Sequence, residues 1–264
     1  MSKQKGIIKL VGNIGGLSFY ASGGEFLART AGGPTKEQIA TGTNFIRTRE
    51  NNKEFGGSAK VSKSLRTALS GVLQVMGSGD LTSRLTSIFK KINSKAGGIR
   101  GQRPIQLTDN KELLQGLELN SKLSFTSVFN APFAVSINED RTEATISVPN
   151  FIPANFVSAP AGASGFRLVI ALGTLSDYSF DEGILSYEPD APEFNGLGVV
   201  SYTAITPLNN TAVALNLTAS VPDGLIPSTD VSVVVGLGIE FYQKVNAVDY
   251  LLAQGNTMRI VGVY

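Results

Sequence analysis

The sequence predicts an α+β chain: a short N-terminal β-hairpin arm, a helical pair, then an antiparallel Ig-like β-sandwich. Three observations predict it. Paired glycines punctuate short apolar runs over residues 6–29. Apolar residues then recur at helical spacing, and beyond residue 105 the period becomes two.

The arm comprises residues 1–33. Ile7-Ile8-Lys9-Leu10-Val11 reads as a strand, followed by a turn at Gly12-Asn13-Ile14-Gly15-Gly16. Leu17-Ser18-Phe19-Tyr20 and Glu25-Phe26-Leu27-Ala28-Arg29 read as strands around a turn at Ser22-Gly23-Gly24. A nucleotide-binding loop would need G-x-G-x-x-G spacing or Gly-Lys-Ser/Thr, and neither is present.

Residues 34–104 form a basic helical region. Pro34-Thr35-Lys36-Glu37 suits a first helical turn. Val61, Leu65, Ala68, Leu69, Val72 and Leu73 share one face of a helix over 59–75, and Gly56-Gly57 predicts a kink or break before it. Asp80 is placed to cap a second helix with the stripe Leu81, Leu85, Ile88, Phe89 and Ile92. Arg84, Lys90, Lys91 and Lys95 make its other side basic. Residues 96–110 are rich in Gly, Pro and polar residues and read as a linker, with a domain boundary near 105.

Residues 105–264 predict the sandwich. Phe133, Val135 and Ile137 alternate with Ala134 and Ser136, and Ala144, Ile146 and Val148 alternate with Glu143, Thr145 and Ser147 after a turn at Asn138-Glu139-Asp140. Further faces are Phe166, Leu168, Ile170 and Leu172; Val213, Leu215, Leu217 and Val221; and Val231 through Phe241 at every second position. Residues 258–264 read as a terminal strand.

Charge is divided along the chain. Residues 1–104 hold seventeen Lys and Arg against five Asp and Glu, a net +12; residues 105–264 hold six against sixteen, a net −10. Were these two bodies, the subunit would be a dipole able to bind polyanions or to stack on copies of itself. The chain has no His, Cys or Trp, which excludes His-based acid–base catalysis, a Ser-His-Asp triad, thiolate chemistry and iron–sulfur ligation. No cofactor is expected. No secretory signal is apparent, because Lys9, Asn13 and glycines interrupt the first apolar stretch, and no segment is long and apolar enough to span a membrane. The compartment stays open.

Lys9-Leu10, Gly12, Ile14-Gly15-Gly16-Leu17 and Phe19-Tyr20, followed by Arg47-Thr48-Arg49-Glu50-Asn51-Asn52 and Glu54-Phe55-Gly56, form a pattern over the first third of the chain. It resembles an uncharacterised family common in Bacteroidota, whose members join a Gly-Gly-Leu hairpin and basic helices to a β-sandwich. The resemblance implies that layout and carries no activity.

Three readings stand for Arg47, Arg49, Lys53, Lys60, Lys63 and Arg66: contact with an acidic neighbour, a solvated helix face, or a phosphate-binding face. Asp177, Asp181, Glu182, Glu188, Asp190 and Glu193 form an acidic run without an internal base. It reads as an exposed loop or as the acidic half of a subunit contact. Calcium would need the D-x-D-x-D-G spacing, which is absent, and paired glycosidase carboxylates would need an aromatic cleft.

The expected function is a non-enzymatic structural protein that self-assembles head to tail, as a surface fibre or as a tube or sheath of a phage-like particle. The expected interface comprises Ile8, Leu10, Leu17 and Phe19 for strand addition, Arg47, Arg49, Lys53, Lys60 and Lys63 on the basic side, and Glu188, Asp190 and Glu193 on the acidic side. The partners are copies of the chain, alongside other assembly components. The alternative is a nucleic-acid- or polyanion-binding module that uses the basic helices.

Overall fold

A computed structural model describes residues 2–264. The chain divides into two compact units, one ending at Arg49 and one spanning Glu50–Tyr264.

In the first unit, β1 (Ser2–Lys3), β2 (Gly12–Ile14), β3 (Leu17–Ser22) and β4 (Glu25–Thr30) form an antiparallel sheet in the order β1-β4-β3-β2. The Gly15-Gly16 turn has φ of 54° and 80°, which glycine adopts without a Cβ clash. The expected strand over residues 7–11 does not form. The Gln4 side chain instead accepts from the Leu10 N–H (2.8 Å) and donates to the Leu10 carbonyl (3.1 Å), holding this stretch as a bend between β1 and β2. Helix α1 (Lys36–Thr41) opens on a reciprocal capping box between Thr35 and Gln38. Arg49 donates to the Ile39 and Gly42 carbonyls, both at 2.8 Å.

The division falls inside α2 (Ile46–Ala68), which is followed by α3 (Ser70–Met76) and α4 (Leu81–Lys95). Then come α5 (Phe125–Val128), β5 (Ala134–Ile137), β6 (Glu143–Phe151), α6 (Pro153–Phe156), β7 (Gly165–Ser176), β8 (Tyr178–Asp181), β9 (Ser186–Pro189), β10 (Gly198–Tyr202), β11 (Thr206–Pro207), β12 (Val213–Ser220), β13 (Val231–Val245), β14 (Val248–Leu251) and β15 (Thr257–Val263). The second unit is an antiparallel β-sandwich with a helical layer. One sheet runs β10-β7-β13-β14, with β11 and β15 pairing β7 and β13; the other runs β12-β6-β5.

Strands β7 and β13 pair from Val231↔Ser176 to Tyr242↔Gly165. Phe166, Leu168, Ile170 and Leu172 of β7, with Val233, Val235, Leu237, Ile239 and Phe241 of β13, pack on Ala144, Ile146, Val148, Leu215 and Leu217 of the second sheet. The opposite face, including Val169, Ala171, Leu175 and Val234, shares a core with Val61, Leu65, Leu69, Val72, Met76, Leu85, Phe89 and Ile92 of the helices. Both strands are therefore buried on both faces.

This shared core corrects the expected boundary near 105. The helical region from Glu50 onward and the sandwich are one unit. Residues 96–110 are no linker: Ile105 and Leu107 are buried in the same core, and Ile105 forms a β-bridge with Tyr178. Helix α2 also runs unbroken through Gly56-Gly57, and a Cβ on Gly57 would lie 2.5 Å from the Tyr187 ring. The glycine marks a close contact, and the helical break comes at Leu69 instead. Asp80 makes no side-chain cap on α4; its carboxylate accepts from the Ser78 and Ser121 hydroxyls.

The helices approach the sheet closely through glycine. A Cβ on Gly198 would fall 1.8 Å from the Ala68 carbonyl oxygen, and one on Gly173 would fall 2.8 Å from the Ala68 Cβ. We expect Gly198→Ala to lower unfolding stability by about 3 kcal/mol or more, because the added methyl meets backbone that cannot rotate away. Gly79→Ala, whose methyl meets open space, should change it by less than about 1 kcal/mol. Chemical denaturation of the two variants checks the contrast.

Candidate assembly interface

The arm sheet is a single layer. No residue from Ser2 to Arg49 is buried, and Ile7, Ile8, Leu10, Val11, Ile14 and Leu17 are exposed large apolar side chains, Ile8 at 79%. Of the four residues expected to add strands, Leu17 and Phe19 lie in β3, while Ile8 and Leu10 lie in the bend. Phe19 is half-buried.

The expected basic residues do different jobs. Arg49 closes α1 onto the carbonyls named above, so it is a structural cross-link. Arg47 is exposed. In the second unit, Lys53 lies 4.9 Å from the centre of the Phe180 ring. Lys60 donates to the Ser186 hydroxyl (2.8 Å), the Tyr187 carbonyl (2.9 Å) and the Glu188 carboxylate (2.6 Å). Lys63 is exposed and unpaired among the described residues.

The acidic run is not a free loop. Residues 178–189 form the β8–β9 hairpin, which Lys60 ties to α2 of the same chain. The Lys60–Glu188 pair therefore satisfies within one subunit an attraction expected between subunits. Asp190 is exposed after β9, and Glu193 is exposed in a 3₁₀ turn at Pro192–Phe194. Among the described residues, no group of carboxylates is arranged to hold a metal ion.

The strongest ionic site went unrecognised in the sequence. Glu54 is buried, and its carboxylate accepts from the Arg103 guanidinium through two nitrogens at 2.8 Å, from Lys90 at 2.5 Å and from the Gly101 N–H at 2.8 Å. Burial pushes its pKa up, but these bonds overcome that and hold it at about 2. Its partners lie in α4 and in residues 96–110, far from it in sequence, so local spacing carries no signal. A second polar cluster joins Ser64, Tyr178 and Asn195: the Tyr178 hydroxyl lies 2.7 Å from both the Ser64 oxygen and the Asn195 amide nitrogen.

Asp177 is 3% exposed and accepts from the Thr108 N–H at 3.2 Å and from the Thr108 hydroxyl. Burial, with a smaller contribution from Asp190, raises its pKa to about 6 despite those bonds. No protein-family model, curated protein or solved structure matches the chain. Function must therefore be argued from this geometry.

The Asp177 shift has a definite sign in stability. Below the ordinary carboxyl pKa of 3.8, Asp177 is protonated in both folded and unfolded chains. From there to about pH 6 the unfolded chain ionises first, so stability falls, and above about 6 the loss is constant. Asp177→Asn should remove this loss, on the order of 2–3 kcal/mol at pH 7.5, and gain almost nothing at pH 3.5. Unfolding curves of both proteins across pH check it.

Proposed function

We propose that the protein is a non-enzymatic structural subunit that assembles head to tail with copies of itself through its N-terminal arm. The observation that carries this reading is the arm sheet. The arm exposes six large apolar side chains, four in the bend over residues 7–11 and Ile14 and Leu17 in its strands; it buries none of its own residues, and its sheet has open outer edges at β1 and β2. A small sheet gains independent stability by packing a hydrophobic face, and an open apolar edge is a template for another strand. A second copy supplies both.

The charge balance agrees with a head-to-tail arrangement. Residues 1–49 hold seven basic against two acidic residues, and residues 50–264 hold sixteen against nineteen. A basic arm meeting the acidic body of the next copy is a heterologous contact, which builds a filament or tube when it does not close into a ring. The polyanion-binding alternative has fewer cations to use. Lys60, Lys90, Lys95, Arg100 and Arg103 each face a carboxylate of the same chain. Among the described residues, no helix is long and apolar enough to cross a membrane.

Deleting residues 1–33 tests the reading. Negative-stain images of the full chain across concentration should show fibres, tubes or closed particles. The deleted chain should remain a dispersed subunit, with a melting temperature within about 3 °C of the full chain's, because the deleted residues bury no core. Assembly that survives the deletion would overturn the proposal.

A further inference from the structure

We propose that residues 6–11 of one copy add as a strand to the outer edge of β14 in the next copy. This rests on the assembly reading above and names the two elements that meet.

The donor is a strand sequence without a sheet. Ile7-Ile8-Lys9-Leu10-Val11 combines β-branched and aliphatic residues, yet it lies in no strand. Among the described residues, its backbone is engaged only at Leu10, through the Gln4 side chain. Ile7, Ile8 and Val11 are highly exposed. Two side chains hold this stretch, the Gln4 amide on Leu10 and the Lys9 ammonium on the Gln4 carbonyl (2.5 Å), and both can be exchanged for a ladder of main-chain bonds.

The acceptor lies where β13 outruns the core. Strand β13 is buried through Tyr242 and exposed from Gln243, and it returns through a two-residue turn, Asn246-Ala247 with φ of 48° and 68°, into β14. The hairpin exposes Val245, Val248, Tyr250 and Leu251, with Tyr250 at 56%. The neighbouring strand β15 has its outer edge occupied by residues 116–119, through bonds such as Ile260 N–H to the Leu117 carbonyl at 2.8 Å. No such cover reaches β14 among the described residues. The outer strands of the other sheet, β5 and β12, present no large exposed apolar side chain.

The pairing register says which groups are on offer. Leu252 donates to the Phe241 carbonyl at 2.8 Å, while the Asn256 side chain takes the Phe241 N–H and the Leu252 carbonyl, so Phe241 and Leu252 stand at a bonded position of the ladder. Bonded and non-bonded pairs alternate in an antiparallel ladder, so Tyr242–Leu251 and Lys244–Asp249 are the non-bonded ones. The N–H and C=O groups of Asp249 and Leu251 therefore point outward, away from β13. An added strand finds two donors and two acceptors at β-sheet spacing.

The side chains agree with the backbone. In a strand, Ile8 and Leu10 share one face and Lys9 takes the other; in β14, Val248 and Tyr250 share one face and Asp249 the other. Addition thus sets apolar beside apolar and Lys9 on the side of Asp249, which has no ion pair among the described residues.

The chain has no cysteine, so introduced thiols report without background. Two single variants, Lys9→Cys and Asp249→Cys, are mixed at assembling concentration and oxidised. Covalent heterodimers should exceed the homodimers of either variant alone by at least about tenfold, reflecting the effective concentration of paired strands. If the mixture shows no such excess, the proposal is overturned. It also fails if only the doubly substituted chain cross-links, within itself. A second variant, Asp249→Pro/Leu251→Pro, removes the two outward N–H groups without touching a bond to β13. Its growth rate, read by light scattering, should fall at least about tenfold while its melting temperature is retained. If it grows like the unmodified chain while the chain lacking residues 1–33 does not grow, β14 is not the acceptor and the assembly reading stands. If the unmodified chain never assembles, both fall together.

Discussion

Close seating of α2 and α3 on the glycine-bearing face of the large sheet is the contact on which the rest of this chain depends. A methyl group at Gly198 or Gly173 would overlap Ala68, so the layers meet there nearly backbone to backbone. That seating makes β7 and β13 central in two directions at once, with a second sheet on one side and helices on the other. It also brings the basic helices to the acidic hairpin. Lys60 then meets Glu188, and Glu54 draws Lys90 and Arg103 into one buried network. Of the contrast between +12 in the first part and −10 in the second, Lys60–Glu188 and Lys95–Glu112 are pairs met within one chain, while the Glu54 network lies wholly in the first part.

Strands and helices were legible where one face differs clearly from the other. The alternation of Val233, Val235, Leu237, Ile239 and Phe241 identified β13, and the stripe Leu81, Leu85, Phe89, Ile92 identified α4. What period alone concealed was the meaning of the intervening residues. Ser232, Gly236, Gly238 and Glu240 look like a solvent face, yet they lie against buried surroundings. Gly238 is small because α3 approaches there, a Cβ falling 2.7 Å from the Met76 sulfur, and Gly236 because Met258 of β15 does, a Cβ falling 2.8 Å from its sulfur. Glu240 is tolerated because Arg167 pairs with it at 2.6 Å and the Tyr242 hydroxyl donates to it at 2.9 Å. Alternation of large and small differs from alternation of inside and outside, and only tertiary contact separates them.

The candidate interface was legible in part for a related reason. Exposure of the arm follows from its composition and glycine turns, but the bend at residues 5–11 depends on two side chains, Gln4 and Lys9. The internal pairing of Glu188 depends on a residue far away in sequence. The β14 edge was missed because a four-residue strand carries little periodic signal, and its importance lies in what fails to cover it.

Each compact unit leaves one feature without a partner of its own: the first exposes apolar side chains and buries none of its residues, and the second carries a β13–β14 hairpin that runs past its core. The central claim is that these two features complete one another between copies. Hydrogen exchange resolved by peptide, on dilute subunit and on assembled material, tests it most directly. In dilute subunit, amides of residues 6–11 and of Asp249 and Leu251 should exchange quickly, while those of β7 and β13 are strongly protected. On assembly the two fast sets should slow together. Protection of residues 6–11 already complete in the dilute subunit, or unchanged on assembly, would contradict the account.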